Sequence, residues 1–231
     1  MPKPLKQSLL ALQDRLTAAI GTDISTPASR RAAWWHFQLM DHAFLRTWWK
    51  NIDQVGPGVW RSNQPSVADL ERLASMGLKT VVNLRGAVQQ SFYLFEAEAC
   101  ARLGLTLIDL NLSARQAPPR KRLLKLLDIF DSAEQPLLIH CKSGADRTGL
   151  AAAIWRIEKM GESALKAGAE ELSLRHIHLR RSSTGVMDQV IRSYAAEAEP
   201  RGLSFRDWVQ DEYDQARIAK DFADWRAGRS A

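Results

Sequence analysis

The sequence predicts an α/β fold, a largely parallel central sheet flanked by helices, with helical extensions at both ends. Three observations predict it. Between residues 56 and 160, short apolar or β-branched runs alternate with longer stretches of helical spacing, the pattern of strands joined by crossover helices. The run Leu137-Leu138-Ile139 passes through a Gly-containing loop into Leu150-Ala151-Ala152-Ala153-Ile154-Trp155, which reads as strand, loop, helix. The 231 residues are 45% hydrophobic, ordinary for a packed core, and no run approaches the roughly 18 apolar residues of a membrane span.

Each element follows in order. Leu5, Leu9, Leu10, Leu12, Leu16 and Ile20 have helical spacing that ends at Gly21. A turn over 21–27 offers Thr26 or Ser29 to cap a second helix, about 28–51. That helix is rich in aromatics, and Trp34, Phe37, Asp41, Phe44 or Leu45, and Trp48 recur at threes and fours. The favoured reading packs this stripe on the α/β body. The sharper one is an interfacial helix at an anionic membrane, since tryptophans flanked by Arg30, Arg31, Arg46 and Lys50 suit a headgroup layer.

Residues 56–65 open the α/β unit with a short strand and a polar loop. Ser66 caps a helix reaching Met76, which Gly77 terminates. Residues 78–84 are a β-branched strand ending at Arg85-Gly86; 91–103 form a helix closed by Gly104; 105–112 form a third strand. A loop over 113–119 leads to a helix from Lys121 to Ser132 and then to the strand at 137. After the helix that stops at Gly161, residues 162–172, 184–197 and 204–226 read as helical. The expected layout is one globular unit: a helical extension over 1–52, a central domain over 53–200 and a C-terminal helix within 201–231.

With only Cys100 and Cys141 there is no disulfide framework, and a reducing compartment fits. Met1-Pro2-Lys3-Pro4 lacks the apolar core of a signal peptide, so the cytoplasm is the expected location, with any peripheral contact at the inner face of the membrane. A net charge of +6 and a pI near 9.5 favour anionic partners. The arginines are scattered and no nucleic-acid motif is present, so a nucleic-acid partner is not expected.

The most informative stretch is His140-Cys141-Lys142-Ser143-Gly144-Ala145-Asp146-Arg147-Thr148-Gly149. A cysteine ends the strand and an arginine opens the helix, with five residues between. Their backbone N–H groups can curl inward as an anion nest. The helix N-terminus adds its dipole and unpaired donors, and Arg147 can clamp two oxygens of a tetrahedral anion. The same field lowers the thiol pKa from about 8.5 into the roughly 3.5–7.5 range of such sites, making Cys141 a thiolate nucleophile. A buried inert cysteine would leave the rest of the loop unexplained.

This wording resembles the His-Cys-x5-Arg-Ser/Thr signature of cysteine-based protein-tyrosine and dual-specificity phosphatases. The loop is most similar to a subgroup with Gly-x-Asp-Arg-Thr, which includes broad-specificity bacterial tyrosine phosphatases and the lipid-directed myotubularins. The resemblance covers roughly 53–160, and Trp60-Arg61-Ser62-Asn63-Gln64-Pro65 and Val81-Val82-Asn83-Leu84-Arg85 are similar to strand-end motifs of bacterial members. It implies phosphoester hydrolysis in two steps through a phosphocysteine. Cys141 attacks phosphorus, while Arg147 and the amides of Lys142, Ser143, Gly144 and Ala145 bind the equatorial oxygens. Thr148 assists departure of the sulfur, and His140 orders the loop without doing chemistry. No metal or other cofactor is expected, and no ligand cluster is present to hold one.

The general acid is open. Asp109 lies thirty-two residues before Cys141, the family's interval, but inside a strand. The loop after it, Ser113-Ala114-Arg115-Gln116-Ala117-Pro118-Pro119, has no carboxylate. Asp146, within the nucleophile loop as in myotubularin-type sites, is preferred over Asp109. A third reading uses no protein acid, so that only good leaving groups turn over fast. Arg61, Arg85 and Arg115 sit at predicted strand ends on the same edge as Lys142. Four such cations favour a phospholipid headgroup, inositol phosphate or other polyanionic phosphate, with a phosphoprotein as the alternative partner. Two other classes fit less well: a rhodanese-type sulfurtransferase, disfavoured by Asp146-Arg147-Thr148, and a phosphate-binding pseudophosphatase, disfavoured by the intact Cys141 and Arg147. Cys100 reads as packing, or as a disulfide partner protecting Cys141 if the two lie close.

Overall fold

Strands β1 (Asp53–Gly56), β2 (Val59–Ser62), β3 (Thr80–Asn83), β4 (Thr106–Asp109) and β5 (Leu137–His140) form one sheet in the order β1-β2-β5-β3-β4. This computed structural model describes residues 20–46 and 48–229; the helix expected over 5–20 lies, but for Ile20, outside them. All neighbours are parallel except β1, which pairs antiparallel with β2. The single opening strand expected at 56–65 is therefore a hairpin. Its turn is Pro57-Gly58, with Gly58 at φ +71°, a conformation glycine adopts without a steric cost.

Helices α1 (Pro27–Leu39), α2 (Ala43–Arg46), α3 (Val67–Ser75), α4 (Ser91–Leu103), α5 (Arg120–Ser132), α6 (Asp146–Met160), α7 (Ala164–Glu171), α8 (Val186–Glu197), α9 (Phe205–Asp211) and α10 (Gln215–Arg226) surround the sheet. The period of two along the strands divides them. Val81 and Leu138 face one core with Leu70 and Leu73 of α3 and Ala99 and Cys100 of α4. Val82, Leu137 and Ile139 face the other, with α5 and α6 and with Val190, Phe205 and Trp208. Ser66 caps α3 through a reciprocal box with Asp69, and Gly104 and Gly161 end α4 and α6 in the left-handed region.

The helix expected over 28–51 is instead α1 and α2, separated at 40–42, where His42 takes φ +60°. The break turns Asp41 inward to Arg46 and Arg85 (both 2.7 Å), and pairing buried charges outweighs continuing the helix. The packed face also differs. Ala33, Phe37 and Ala43 meet Phe92 and Phe95 of α4, whereas Trp34, Trp35, Phe44 and Leu45 stay exposed and Trp48 is 91% exposed. Of the expected stripe, Phe37 and Asp41 are buried, while Trp34, Phe44, Leu45 and Trp48 are not. At the other end, the helix expected over 204–226 is α9 and α10, interrupted where Asp214 caps α10. Among the described residues, no helix is long and apolar enough to cross a membrane.

Candidate active site

β5 lies in the sheet between β2 and β3, parallel to both, so Cys141 emerges at the carboxyl edge where open α/β sheets place ligands. The loop from Cys141 to α6 turns at Gly144, φ +74°. A Cβ there would sit 2.7 Å from the Asn63 amide nitrogen and 2.8 Å from the Ser62 carbonyl oxygen. Both neighbours are backbone and cannot yield, so only glycine fits.

Four consecutive loop carbonyls are engaged by groups outside the loop. Cys141 O lies 3.3 Å from His140 Nδ1, Lys142 O accepts from the Gln64 amide (3.2 Å), Ser143 O from Asn51 Nδ2 (3.0 Å), and Gly144 O from the Arg61 guanidinium. With the carbonyls held outward, the N–H groups are left for the interior. The Gly144 amide donates to Cys141 Sγ at 3.3 Å. Ala145's amide makes only a long bond, 3.4 Å, to Ser143 Oγ, which an incoming oxyanion can replace.

Cys141 is 1% exposed. Burial alone would push its thiol up, but the Arg147 charge, the Thr148 hydroxyl and amide and the Gly144 amide hold it below the ordinary thiol value. Thr148 Oγ1 is buried with no hydrogen-bond partner among the described residues, and its nearness to the thiol is among the influences that lower the thiol pKa. Arg147 makes only long bonds to the carbonyls of Leu112 (3.3 Å) and Leu84 (3.4 Å), and its buried Nε has no partner among the described residues. A buried donor left unpaired is costly, and a tetrahedral oxyanion would satisfy it.

His140 is fully buried, its Nε2 2.7 Å from Glu96 Oε1. Two of the four expected substrate cations are already engaged by protein groups. Arg61, 1% exposed, lies beneath the loop, paired with the Glu171 carboxylate and donating to Glu171 O (2.9 Å) as well as to Gly144 O. Its guanidinium is taken up by Glu171 and by the loop carbonyl, so it supports the loop from below. Arg85 is at the strand end as expected, but it is bound to Asp41 and Gln64 and stacked on Phe92, 3.2 Å from the ring centroid. Lys142 stays half-exposed, 3.4 Å from Asp41. Arg115 is exposed, with no carboxylate partner among the described residues.

Both candidate acids are engaged by neighbouring side chains. Asp146 Oδ1 lies 2.7 Å from His178 Nδ1, and the other ring nitrogen contacts Asp188. A histidine with a carboxylate on each nitrogen donates from both as an imidazolium. Burial would push His178 down, but the two carboxylates raise it to about 9. Burial likewise pushes Asp146 up, and the bonds from His178 and Thr184 reverse this, leaving it below the usual carboxylate value. Asp146, the preferred general acid, is therefore held against the His178 imidazolium rather than presented as a free carboxyl. Asp109 accepts from Asn83 Nδ2 (2.8 Å) and Tyr93 Oη (2.7 Å), a structural role at the end of β4. Cys100 sits in the core on the opposite face of the sheet from Cys141. Burial and the charges of Glu96 and Asp109 push its thiol up to about 12, which does not suit a protective disulfide partner.

Sequence reasoning missed Asn51, Gln64, Asp41, Glu171 and His178. Gln64 lay inside a quoted motif. The closely spaced His176 and His178, in a stretch without helical periodicity, were the only other signal. Asn51 bridges Ser143 O and His176 O, across 92 and 125 residues of chain, which no local pattern encodes. Among the described residues, no group of three His, Cys, Asp or Glu side chains is arranged to hold a metal.

A family model described as "DSP-PTPase phosphatase fused to NAD+ Kinase" matches residues 50–192. A rice protein named "Probable NAD kinase 2, chloroplastic" (Oryza sativa subsp. japonica) is 27% identical over 135 residues, 57% of this chain and 14% of that protein. "Inositol diphosphatase DSP1" from the same organism is 30% identical over 104 residues, 43% of this chain and 46% of that protein. The chain thus spans less than half the length of these curated relatives. The crystal structure of P. aeruginosa TpbA (C132S) in complex with pTyr shares the fold, with a TM-score of 0.52, 22% identity and coverage of 70% of this chain and 91% of that one.

Proposed function

This chain belongs to the family described as DSP-PTPase phosphatase fused to NAD+ kinase, within the cysteine-dependent protein-tyrosine and dual-specificity phosphatases, and we propose that it hydrolyses phosphate groups through a phosphocysteine on Cys141. The observation that carries this is the buried Arg147 Nε, without a partner among the described residues, beside a thiol held below its ordinary value. The Cys141 thiolate attacks phosphorus, forming the S–P bond as the P–O bond to the leaving group breaks, and that oxygen takes the electron pair. Arg147 and the loop amides hold the equatorial oxygens. Water then attacks phosphorus, releasing inorganic phosphate and the thiolate, which Thr148 stabilises.

The leaving group follows from the missing acid. Asp41, Asp109 and Asp146 are each held by donors or cations, and the loop over 113–119 has no carboxylate. The leaving oxygen therefore departs unprotonated, which favours a weakly basic one. A phosphate leaving group has a second pKa of about 6, a phenol about 10. We infer a polyanionic small molecule cleaved at a phosphoanhydride, of the inositol diphosphate class. The name of the rice relative supports this, as do Lys142, half-exposed beside Asp41, and Arg115, exposed with no carboxylate partner among the described residues. The second reading is a phosphotyrosine protein, favoured by Asp41, which neutralises Arg85 and thins the positive charge around the site.

The test is phosphate release in chelator, with Cys141→Ser as the blank, from an inositol diphosphate, inositol hexakisphosphate, a phosphoinositide, a phosphotyrosine peptide and a phosphoserine peptide. The expected order places the anhydride first, the phosphotyrosine peptide next and alkyl monoesters last. Fastest release from the phosphoserine peptide or the phosphoinositide overturns it.

We propose too that residues 53–200 are the catalytic unit and that both extensions belong to the same folded body, since α9 and α10 place Phe205, Trp208 and Phe222 in its main core. The exposed tryptophans of the first extension support a peripheral contact with a membrane surface.

A further inference from the structure

A cavity of about 560 Å³ opens between α7, α8 and the loop over 173–182, away from the substrate face of the nucleophile loop. That volume lies in the roughly 300–1,000 Å³ range of small-molecule sites. Its walls are apolar: Ala164, Leu165, Gly168 and Leu172 on one side, Leu179 and Ile191 on the other. Leu165, Leu174 and Leu179 around it are exposed, although apolar side chains of this size gain by being covered.

The rim is cationic. Arg180, Arg181 and Arg192 line the cavity, and none forms an ion pair with a carboxylate among the described residues. Burial and the charge of Arg192 pull Arg180 below its ordinary value, Asp188 opposes this, and Arg181 adds to the repulsion. The carboxylate of Asp188 is already committed to His178. An apolar pocket edged by three arginines, two of them over the Trp225 ring at 4.3 and 6.0 Å and none ion-paired among the described residues, is complementary to a ligand with an apolar body and one anionic end.

The cavity also touches the machinery of the nucleophile loop. His178 and Asp188 are part of its lining, and His178 reaches Asp146 at 2.7 Å, next in sequence to Arg147. We propose that this cavity is a second binding site, for an amphipathic anion such as an alkyl or aryl carboxylate, and that its occupancy alters turnover through Asp188, His178 and Asp146. The second half rests on the phosphatase reading of Cys141; the binding half does not.

The probe is decanoate, titrated calorimetrically into the full chain with saturating vanadate on the nucleophile loop, beside decanol and inorganic phosphate as controls. Decanoate binds, decanol binds at least about tenfold more weakly, and phosphate does not compete. Arg192→Glu and Ala169→Trp, both on exposed lining positions, raise the decanoate Kd about tenfold or more, with thermal melting checked for an intact fold. Binding unaffected by both variants places decanoate elsewhere and overturns the site. Equal binding of decanol overturns the role of the arginines. The same decanoate series, run without vanadate, changes kcat for nitrophenyl phosphate in the wild type and not in Ala169→Trp; an unchanged kcat at saturating decanoate overturns the coupling. If no phosphate ester is hydrolysed at all, the calorimetry still decides the site, so failure of the phosphatase reading is separate.

Discussion

His178 Nδ1 lies 2.7 Å from Asp146 Oδ1, and its other ring nitrogen contacts Asp188, so one buried imidazolium ties the first turn of α6 to α8. Its folded-state pKa is raised to about 9, against about 6.5 for a free histidine. A raised pKa means that the stabilisation is full below about 6.5 and is lost as pH climbs through about 9. Replacing His178 with Asn leaves two carboxylates facing each other and is expected to cost about 3 kcal/mol at pH 6.5. Urea unfolding of both proteins at pH 6.5 and pH 10 checks this. The gap between them narrows at the higher pH, and a gap that stays constant sinks the assignment.

Asp146 as an ion-pair partner makes a different kinetic prediction from Asp146 as an acid. A proton donor matters most for basic leaving groups. Asp146→Asn is therefore expected to lower kcat by a similar factor for aryl phosphates of widely different leaving-group pKa, because it disturbs the placement of Arg147. A loss that grows steeply with leaving-group pKa would restore the acid role.

Arg61 holds the carbonyl of Gly144 and the carboxylate of Glu171 at once. Lysine keeps the charge but lacks the fork that reaches both. Arg61→Lys is expected to lower kcat about a hundredfold, the scale of one misaligned oxyanion donor, with KM changed much less. The pH profile of iodoacetamide modification of Cys141 also shifts to higher pH, because a Gly144 peptide no longer held at its carbonyl loosens the amide that donates to the sulfur. An unmoved profile with wild-type kcat removes Arg61 from the positioning of the loop.

The legible parts of this protein are the local ones. The nucleophile loop could be read because Cys141, Gly144, Arg147 and Thr148 are contiguous, and the sheet because its strands are short apolar runs between helix stops such as Gly104 and Gly161. What stayed hidden were side chains that act at a distance. Arg61 looks like any strand-end arginine until Glu171, 110 residues later, is brought beneath it. Asp41 sits at a helical position of an aromatic stripe, and only the tertiary pull of Arg85 and Arg46 explains why the helix breaks there. Asp146 lies within the nucleophile loop, and what engages it, His178 and Thr184, comes from more than thirty residues further along the chain.

The last expectation concerns the first extension. Trp34 and Trp35 pack edge to face, centroids 4.8 Å apart, and Trp48 is 91% exposed. Of the four basic residues that flank them, Arg30 pairs with Glu98, Arg46 with Asp41 and Lys50 with Asp69. Arg31 alone has no carboxylate partner among the described residues. Membrane contact made by this surface therefore comes mainly from indole insertion at the headgroup layer and little from net charge. Partition of the full chain onto phosphatidylcholine vesicles is expected to fall about tenfold when Trp34, Trp35 and Trp48 are replaced together by alanine. Adding phosphatidylserine or raising the salt concentration changes it far less than that, because screening acts on exposed charges. Tryptophan fluorescence reports the insertion directly. Wild-type partition that collapses in high salt would mean that cations carry the contact, and partition indifferent to the triple substitution would leave these tryptophans without a membrane role.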